Sequence, residues 1–142
     1  MDDSGQKQPK RALGTIRQAA IVIGQIAAGA DVIEVEGVED LLCVLSVGGA
    51  RAGFAACGAA NLGKPTLPPG CRVTIVADNG PGEVEARKAA LVRVQQGQHV
   101  RLAIPPQGCK DANELLVSQG PEAVRAMIAE AVEVVPGDGR LS

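Results

Sequence analysis

The residues in this sequence best suited to chemistry are carboxylates that recur just behind short apolar runs. Glu36-Gly37 follows Val32-Ile33-Glu34-Val35, and Asp40 stands four positions after Glu36. Asp78-Asn79-Gly80 follows Arg72-Val73-Thr74-Ile75-Val76-Ala77. Asp111 and Glu114 lie in Pro105-Pro106-Gln107-Gly108-Cys109-Lys110-Asp111-Ala112-Asn113-Glu114, directly after His99-Val100-Arg101-Leu102-Ala103-Ile104. Hard, oxygen-seeking Mg2+ is usually held by one or two carboxylates together with water and substrate phosphates. Converging acids repel one another and need a cation or a proton to neutralise them. The chemistry that fits is phosphoryl transfer, in which metal ions polarise the phosphate and offset charge on the attacking and leaving oxygens.

Each acid also has an ordinary structural role. Glu36-Gly37 reads as a strand-to-helix turn, with Asp40 near a helix start where the dipole favours it. Asp78-Asn79-Gly80 is a common turn sequence. Asp111 with Glu114 resembles a helix N-cap and its reciprocal acid. The functional reading is favoured by their joint placement, because ligands of open parallel sheets bind beyond the carboxyl ends of the strands.

Other chemistries find no support. No nucleophilic Ser or Cys is paired with a plausible base, and Gly48-Gly49 lacks the spacing of either phosphate-binding glycine loop. The single histidine, His99, begins a strand at the edge opposite the acids and reads as a surface residue. Cys43, Cys57, Cys71 and Cys109 are separated by 14, 14 and 38 residues. No zinc is expected from that spacing, and the thiols read as reduced and packed.

The elements that must position the acids alternate along the chain. Val32-Ile33-Glu34-Val35 predicts a strand, and Glu39 to Val47 a helix with Leu41, Leu42 and Leu45 on one side. Gly53-Phe54-Ala55-Ala56-Cys57 is a second short apolar run, followed by a Gly-, Pro- and Asn-rich loop from Gly58 to Gly70. Arg72 to Ala77 is the clearest strand, and Glu83 to Gln96 the clearest helix, stopped by Gly97. His99 to Ile104 is a fourth strand; Asp111 to Ser118 and Pro121 to Val134 are further helices. Strands alternating with helices, and apolar on both faces, imply crossover units and a parallel sheet. The expected fold is a three-layer α/β domain of residues 11–134 with about four mainly parallel strands. Residues 1–10 read as a disordered lead-in, with short extended pieces at Arg11 to Gly14 and Ala19 to Gly24, and 135–142 as a flexible tail.

Composition narrows the setting. The 142 residues are the size of one domain, and 46% hydrophobic content suffices for a core. No apolar run approaches the ~18–20 residues needed to cross a bilayer. Met1-Asp2-Asp3-Ser4 does not open a secretory signal, so a soluble, cytoplasmic protein is expected. A net charge of −2 and a single aromatic residue, Phe54, argue against gripping nucleic acid by charge or base stacking alone.

These motifs, in this order, resemble the Toprim family, and most closely the Toprim domains of phage- and plasmid-type primases and primase-helicases. The resemblance runs from about Lys10 to Ala131. The first motif, strand then Glu-Gly, is Val35-Glu36-Gly37-Val38-Glu39-Asp40. The connector resembles Ala56-Cys57-Gly58-Ala59-Ala60-Asn61-Leu62 and Leu67-Pro68-Pro69-Gly70. The second motif, Asp-x-Asp, is Val76-Ala77-Asp78-Asn79-Gly80-Pro81-Gly82-Glu83, and the third is Pro105 to Glu114. The resemblance implies a Rossmann-like Toprim fold, with Glu36 as catalytic acid/base or metal ligand. It also implies Mg2+ (or Mn2+) on Asp78 with Asp40 and Asp111, and substrate contacts at Asn79, Lys110 and Asn113. The implied activity is nucleotidyl transfer in DNA replication. DNA template and nucleotides would be engaged through additional domains, with a helicase or zinc-module partner and no membrane. Gly80 replaces the second Asp of the second motif, and Glu83 stands where the family usually has Gly, at a helix start within expected reach of the crevice, and is a further candidate metal ligand. A degenerate, non-catalytic binding module and a metal-dependent nuclease of the same fold are the alternatives.

Overall fold

The structure is a computed structural model and describes residues 21–48 and 50–135. The expected lead-in, the extended piece at Arg11 to Gly14 and residues 136–142 of the expected tail lie outside the described residues. The elements run β1 (Ile21–Ile23), β2 (Asp31–Val35), α1 (Val38–Ser46), β3 (Gly53–Ala55), a 3-10 turn (Ala59–Asn61), β4 (Arg72–Val76), α2 (Pro81–Gln95), β5 (His99–Ala103), α3 (Ala112–Gln119), α4 (Pro121–Ala129) and β6 (Val132–Val134).

One six-stranded sheet has the order β1-β3-β2-β4-β5-β6. The four strands read from the sequence, β3, β2, β4 and β5, are mutually parallel and form its centre. Two antiparallel edge strands add to the expectation of about four: β1 beside β3, and β6 beside β5. The helix expected to run from Pro121 to Val134 ends at Ala129, and the chain turns back so that Val132–Val134 pairs with β5. Three residues are too few for a period of two to show against the helical pattern before them.

Alternation along the strands divides the core in two. Val32, Val73, Ile75, Val100 and Leu102 face α2, which offers Ala86, Ala89 and Ala90 and so lies close to the sheet. Ile33, Val35, Val76 and Ala103 face the other way, onto α1, α3 and α4 through Leu41, Val44, Leu115, Val124 and Ile128. The result is the expected three-layer arrangement. No helix among the described residues is long and apolar enough to cross a membrane.

One charged pair lies inside the first layer. Glu34 and Arg93 are both fully buried, joined by Nε to Oε1 at 2.9 Å and Nη2 to Oε2 at 3.1 Å. Glu34 Oε2 also accepts the Gly63 N–H at 2.7 Å, and Arg93 Nη1 donates to the Pro65 carbonyl and to Gln96 Oε1. The guanidinium lies 5.8 Å from the centre of the Phe54 ring. Two buried charges are tolerable because both sides of the fork are bonded. The pair ties β2, the 58–70 connector and α2 into one block, immediately behind the strand that delivers Glu36.

Candidate metal centre

Register brings the acids together. Val35 pairs with Val76 and Val76 with Ala103, so β2, β4 and β5 finish side by side. The residues that follow them, Glu36 and Asp78, leave the sheet at one edge, and the loop after β5 brings Asp111 back to it. Helix α1 begins directly after Gly37, which places Asp40 in its first turn, facing inward. Carboxylate oxygens of Asp40, Asp78 and Asp111 all lie within 4.8 Å of one another.

Each acid is held in its own way. Asp40 is 6% exposed, and its Oδ1 accepts the Asn113 N–H at 3.0 Å, which joins α1 to the start of α3. Asp111 is the N-cap of α3 and accepts the Glu114 N–H on Oδ1 at 2.8 Å. Glu114 accepts the Lys110 N–H, one residue before the cap, so the N-cap expected at Asp111 is present while its reciprocal acid bonds the residue ahead of it. Asp78 is half-buried, and its Oδ1 is the one buried side-chain oxygen or nitrogen among the described residues with no hydrogen-bond partner.

The electrostatics follow from crowding. Burial, a hydrogen bond with the Glu36 carboxyl and the charges of Asp40, Glu36 and Asp111 push Asp78 up to about 7. Burial also raises Asp40, with Asp111 and Glu36 adding repulsion, while the Asn113 N–H offsets part of the effect. The Cys43 thiol is raised by its own burial and then by the charges of Asp40 and Asp111, which keeps it an inert packed group. Without a cation, Asp78 keeps a proton up to near neutral pH, whereas a carboxyl ordinarily loses it near 4.

The donor set fits a divalent cation. All three clustered groups are hard oxygen ligands, and an orphaned buried carboxylate oxygen is what a ligand awaiting its ion looks like. Gly82, at the start of α2, is part of the fit. A Cβ there would lie 2.9 Å from Asp78 Cβ and 3.7 Å from Glu36 Oε1, so only glycine lets the helix start press against these acids.

The other residues read from the sequence fall as follows. Glu36 lies beside Asp78 at the cluster's margin, in hydrogen-bond contact with it. Glu83 is not brought in, because Arg87 holds its carboxylate at 3.0 and 2.7 Å. That i,i+4 pair was readable in the sequence as an opposite-charge pair one helical turn apart. Lys110 is exposed beside Asp111, and Asn113 reaches the cluster through its backbone N–H. Asn79, expected at the substrate, instead spends its side-chain amide on the carbonyls of Pro105, Pro106 and Cys109. His99 is exposed at the opposite end of β5, as expected. Of the thiols, Cys43, Cys71 and Cys109 are buried, whereas Cys57 is exposed. Sequence reasoning missed Gly82 and the Glu34–Arg93 pair, whose partners are 59 residues apart and meet only through the tertiary fold.

The family described as Toprim domain matches residues 31–122. That span contains every acid of the cluster. No curated protein sequence matches the chain significantly. Solved structures do. The Aquifex aeolicus primase (zinc-binding and RNA polymerase domains) is 28% identical with a TM-score of 0.56, covering 74% of this chain and 27% of that one. A DNA primase domain from Pseudomonas aeruginosa is 24% identical with a TM-score of 0.53, covering 73% of this chain and 34% of that one. The E. coli primase catalytic core is 18% identical with a TM-score of 0.52, covering 75% and 36%. The latter two bear on the fold alone. The matched region spans about a quarter to a third of these longer chains.

Proposed function

Because the chain belongs to the Toprim domain family, we propose that it is the metal-binding part of a primase-like protein, supporting Mg2+-dependent nucleotidyl transfer on nucleic acid. The observation that carries this reading is the convergence of Asp40, Asp78 and Asp111 within 4.8 Å. Asp78 brings a buried oxygen that has no hydrogen-bond partner, and Asp40 and Asp111 are steadied by the Asn113 and Glu114 N–H groups in the first turn of α3. When bound, the ion supplies positive charge against a phosphate and its entering and leaving oxygens. Glu36 shares a hydrogen bond with Asp78 and stands where a proton can be held or passed at the edge of the cluster. Lys110 and Asn113 flank Asp111 and are the chain's contribution to holding a substrate phosphate.

The 142 residues carry a net charge of −2. Template and nucleotides are therefore engaged with other domains or partners, a zinc module or helicase among them, rather than by this domain alone. The test is primer synthesis on a single-stranded template by the full-length protein that carries this domain. Glu36→Gln and Asp78→Asn are expected to reduce synthesis at least about a hundredfold, the lower range for losing an acid/base group. Normal synthesis by Glu36→Gln would end the enzyme reading.

A second reading is favoured by Gly80. It replaces the second Asp of Asp-x-Asp, and its φ of 87° and ψ of −138° belong to a region that aspartate rarely enters. A site that has given up both the carboxylate and the backbone for it would be a binding module that takes metal without turnover. Metal binding with no primer synthesis in any reconstituted reaction favours that reading.

A further inference from the structure

Asn79 sits between the Asp78 carboxylate and Gly80, yet its own side chain turns away from the cluster. The side-chain Nδ2 donates to three backbone carbonyls of the segment after β5: Cys109 at 2.6 Å, Pro105 at 3.1 Å and Pro106 at 3.3 Å. Its backbone N–H adds a fourth bond, to the Lys110 carbonyl at 2.8 Å. These acceptors surround the segment that leads directly into Asp111. Asp78 precedes Asn79 by one residue, and Asp111 follows Lys110 by one. The two loops follow different strands; the Asn113 N–H on Asp40 ties the second to α1, and Asn79 ties it to the first. Pro105 and Pro106 have no N–H of their own to donate, and each offers its carbonyl to Asn79.

We propose that Asn79 is a positioning residue, whose amide locks the loop carrying Asp111 to the loop carrying Asp78 and so sets the spacing of two metal-ligating carboxylates. The inference rests on the metal reading above and adds a residue that touches neither metal nor substrate. A side chain that tethered a loop only for stability would be indifferent to the ion. A positioning clamp is coupled to it, and the coupling is reciprocal: whatever factor the clamp contributes to metal affinity, the metal contributes to the clamp. Residues that orient ligands without binding the ion typically change affinity by about 10–100-fold when removed.

Two measurements test this on the 142-residue chain. In the first, Mg2+ affinity is compared for wild type, Asn79→Ala and Asp78→Asn, with circular dichroism as a check on folding. The expected result is a folded Asn79→Ala that binds about tenfold more weakly. Its Mn2+ broadening should stay near Asp78 and fade at Asp111 to Asn113. Asn79→Ala with affinity within about twofold of wild type overturns the inference. If Asp78→Asn still loses binding, the metal reading survives that failure; if Asp78→Asn also binds normally, the metal reading itself is wrong. In the second measurement, exchange of the Asn79 side-chain amide protons is followed in wild type with and without saturating Mg2+. Protection that deepens about tenfold with Mg2+ supports the clamp. Exchange at the rate of a free amide, or unaltered by Mg2+, overturns it even if Asn79→Ala does not fold.

Discussion

Raising the pH from 4 to 8 should weaken the metal-free fold, the reverse of what salt-bridged carboxylates produce. The cause is Asp78, which burial and the neighbouring acids push up to about 7 in the fold from an ordinary 3.8. Between those values the folded state binds a proton that the unfolded state has released, so unfolding becomes easier as pH rises. The stability is fully present below about 3.8 and is lost as pH passes through about 7. A shift of that size corresponds to about 4 kcal/mol if none of it were screened. Because Asp78 is only half-buried and solvent screens its neighbours, about 1–2 kcal/mol is the expected loss. Asp40, also raised, adds a contribution of the same sign. Urea unfolding at half-unit pH intervals measures the loss directly. Saturating Mg2+ should reverse it above pH 7, by about 2.7 kcal/mol at a hundredfold excess over Kd. Asp78→Asn should flatten the profile, because the neutral amide has no proton to give up. Stability that is level or rising from pH 5 to 8, or a profile unchanged by Asp78→Asn, would refute the reasoning.

Other consequences are equally open to measurement. Arg93→Ala leaves Glu34 charged and without its fork in the core, and should cost about 3–5 kcal/mol in urea unfolding; a loss under about 1 kcal/mol would mean that the pair is not the tie between β2 and α2. Gly82→Ala places a methyl 2.9 Å from Asp78 Cβ. It should cost about 1–3 kcal/mol as overpacking and weaken Mn2+ binding at the same time; unchanged binding would separate the helix start from the site. Gly80→Asp restores a carboxylate but forces aspartate to a φ of 87°. A stability loss of about 1–3 kcal/mol is expected from that strain, and a fully stable variant with stronger Mg2+ binding would show that the loop re-forms around it.

The parts of the fold legible in the sequence are those that repeat. β2, β4 and β5 announce themselves as apolar runs, and the acids behind them mark the edge where the site forms. α2 is bounded by Pro81 and Gly97, residues whose backbone preferences start and stop helices. Of the short edge strands, β1 falls within the extended piece read at Ala19 to Gly24, whereas β6 was not legible, since three residues carry no period and their pairing depends on a neighbour already in place. Glu34 was hidden for another reason. In a strand facing both layers, a single charge reads as an edge or a turn until its partner, 59 residues on, is seen to enter the same layer. Arg93, in the last turn of α2, is hidden in the same way, because its burial depends on the pairing with Glu34. At the site, the types of the ligands were readable but their commitments were not. Asn79 and Glu83 both stand beside the acids in sequence, and each is engaged elsewhere, Asn79 by carbonyls across the sheet edge and Glu83 by Arg87 along its own helix.

The central claim is that Asp40, Asp78 and Asp111 form a divalent metal site without the second Asp of the motif. It is tested most directly by titrating the 142-residue chain with Mg2+ and Mn2+ and following its backbone amides by NMR. The account predicts saturable shifts with Mg2+ and selective broadening with Mn2+ at Glu36, Asp40, Asp78 and Asp111, all abolished by Asp78→Asn. No localised response up to ~10 mM, above the range of functional sites for such hard cations, would contradict it and leave the acids as capping and turn residues of the fold.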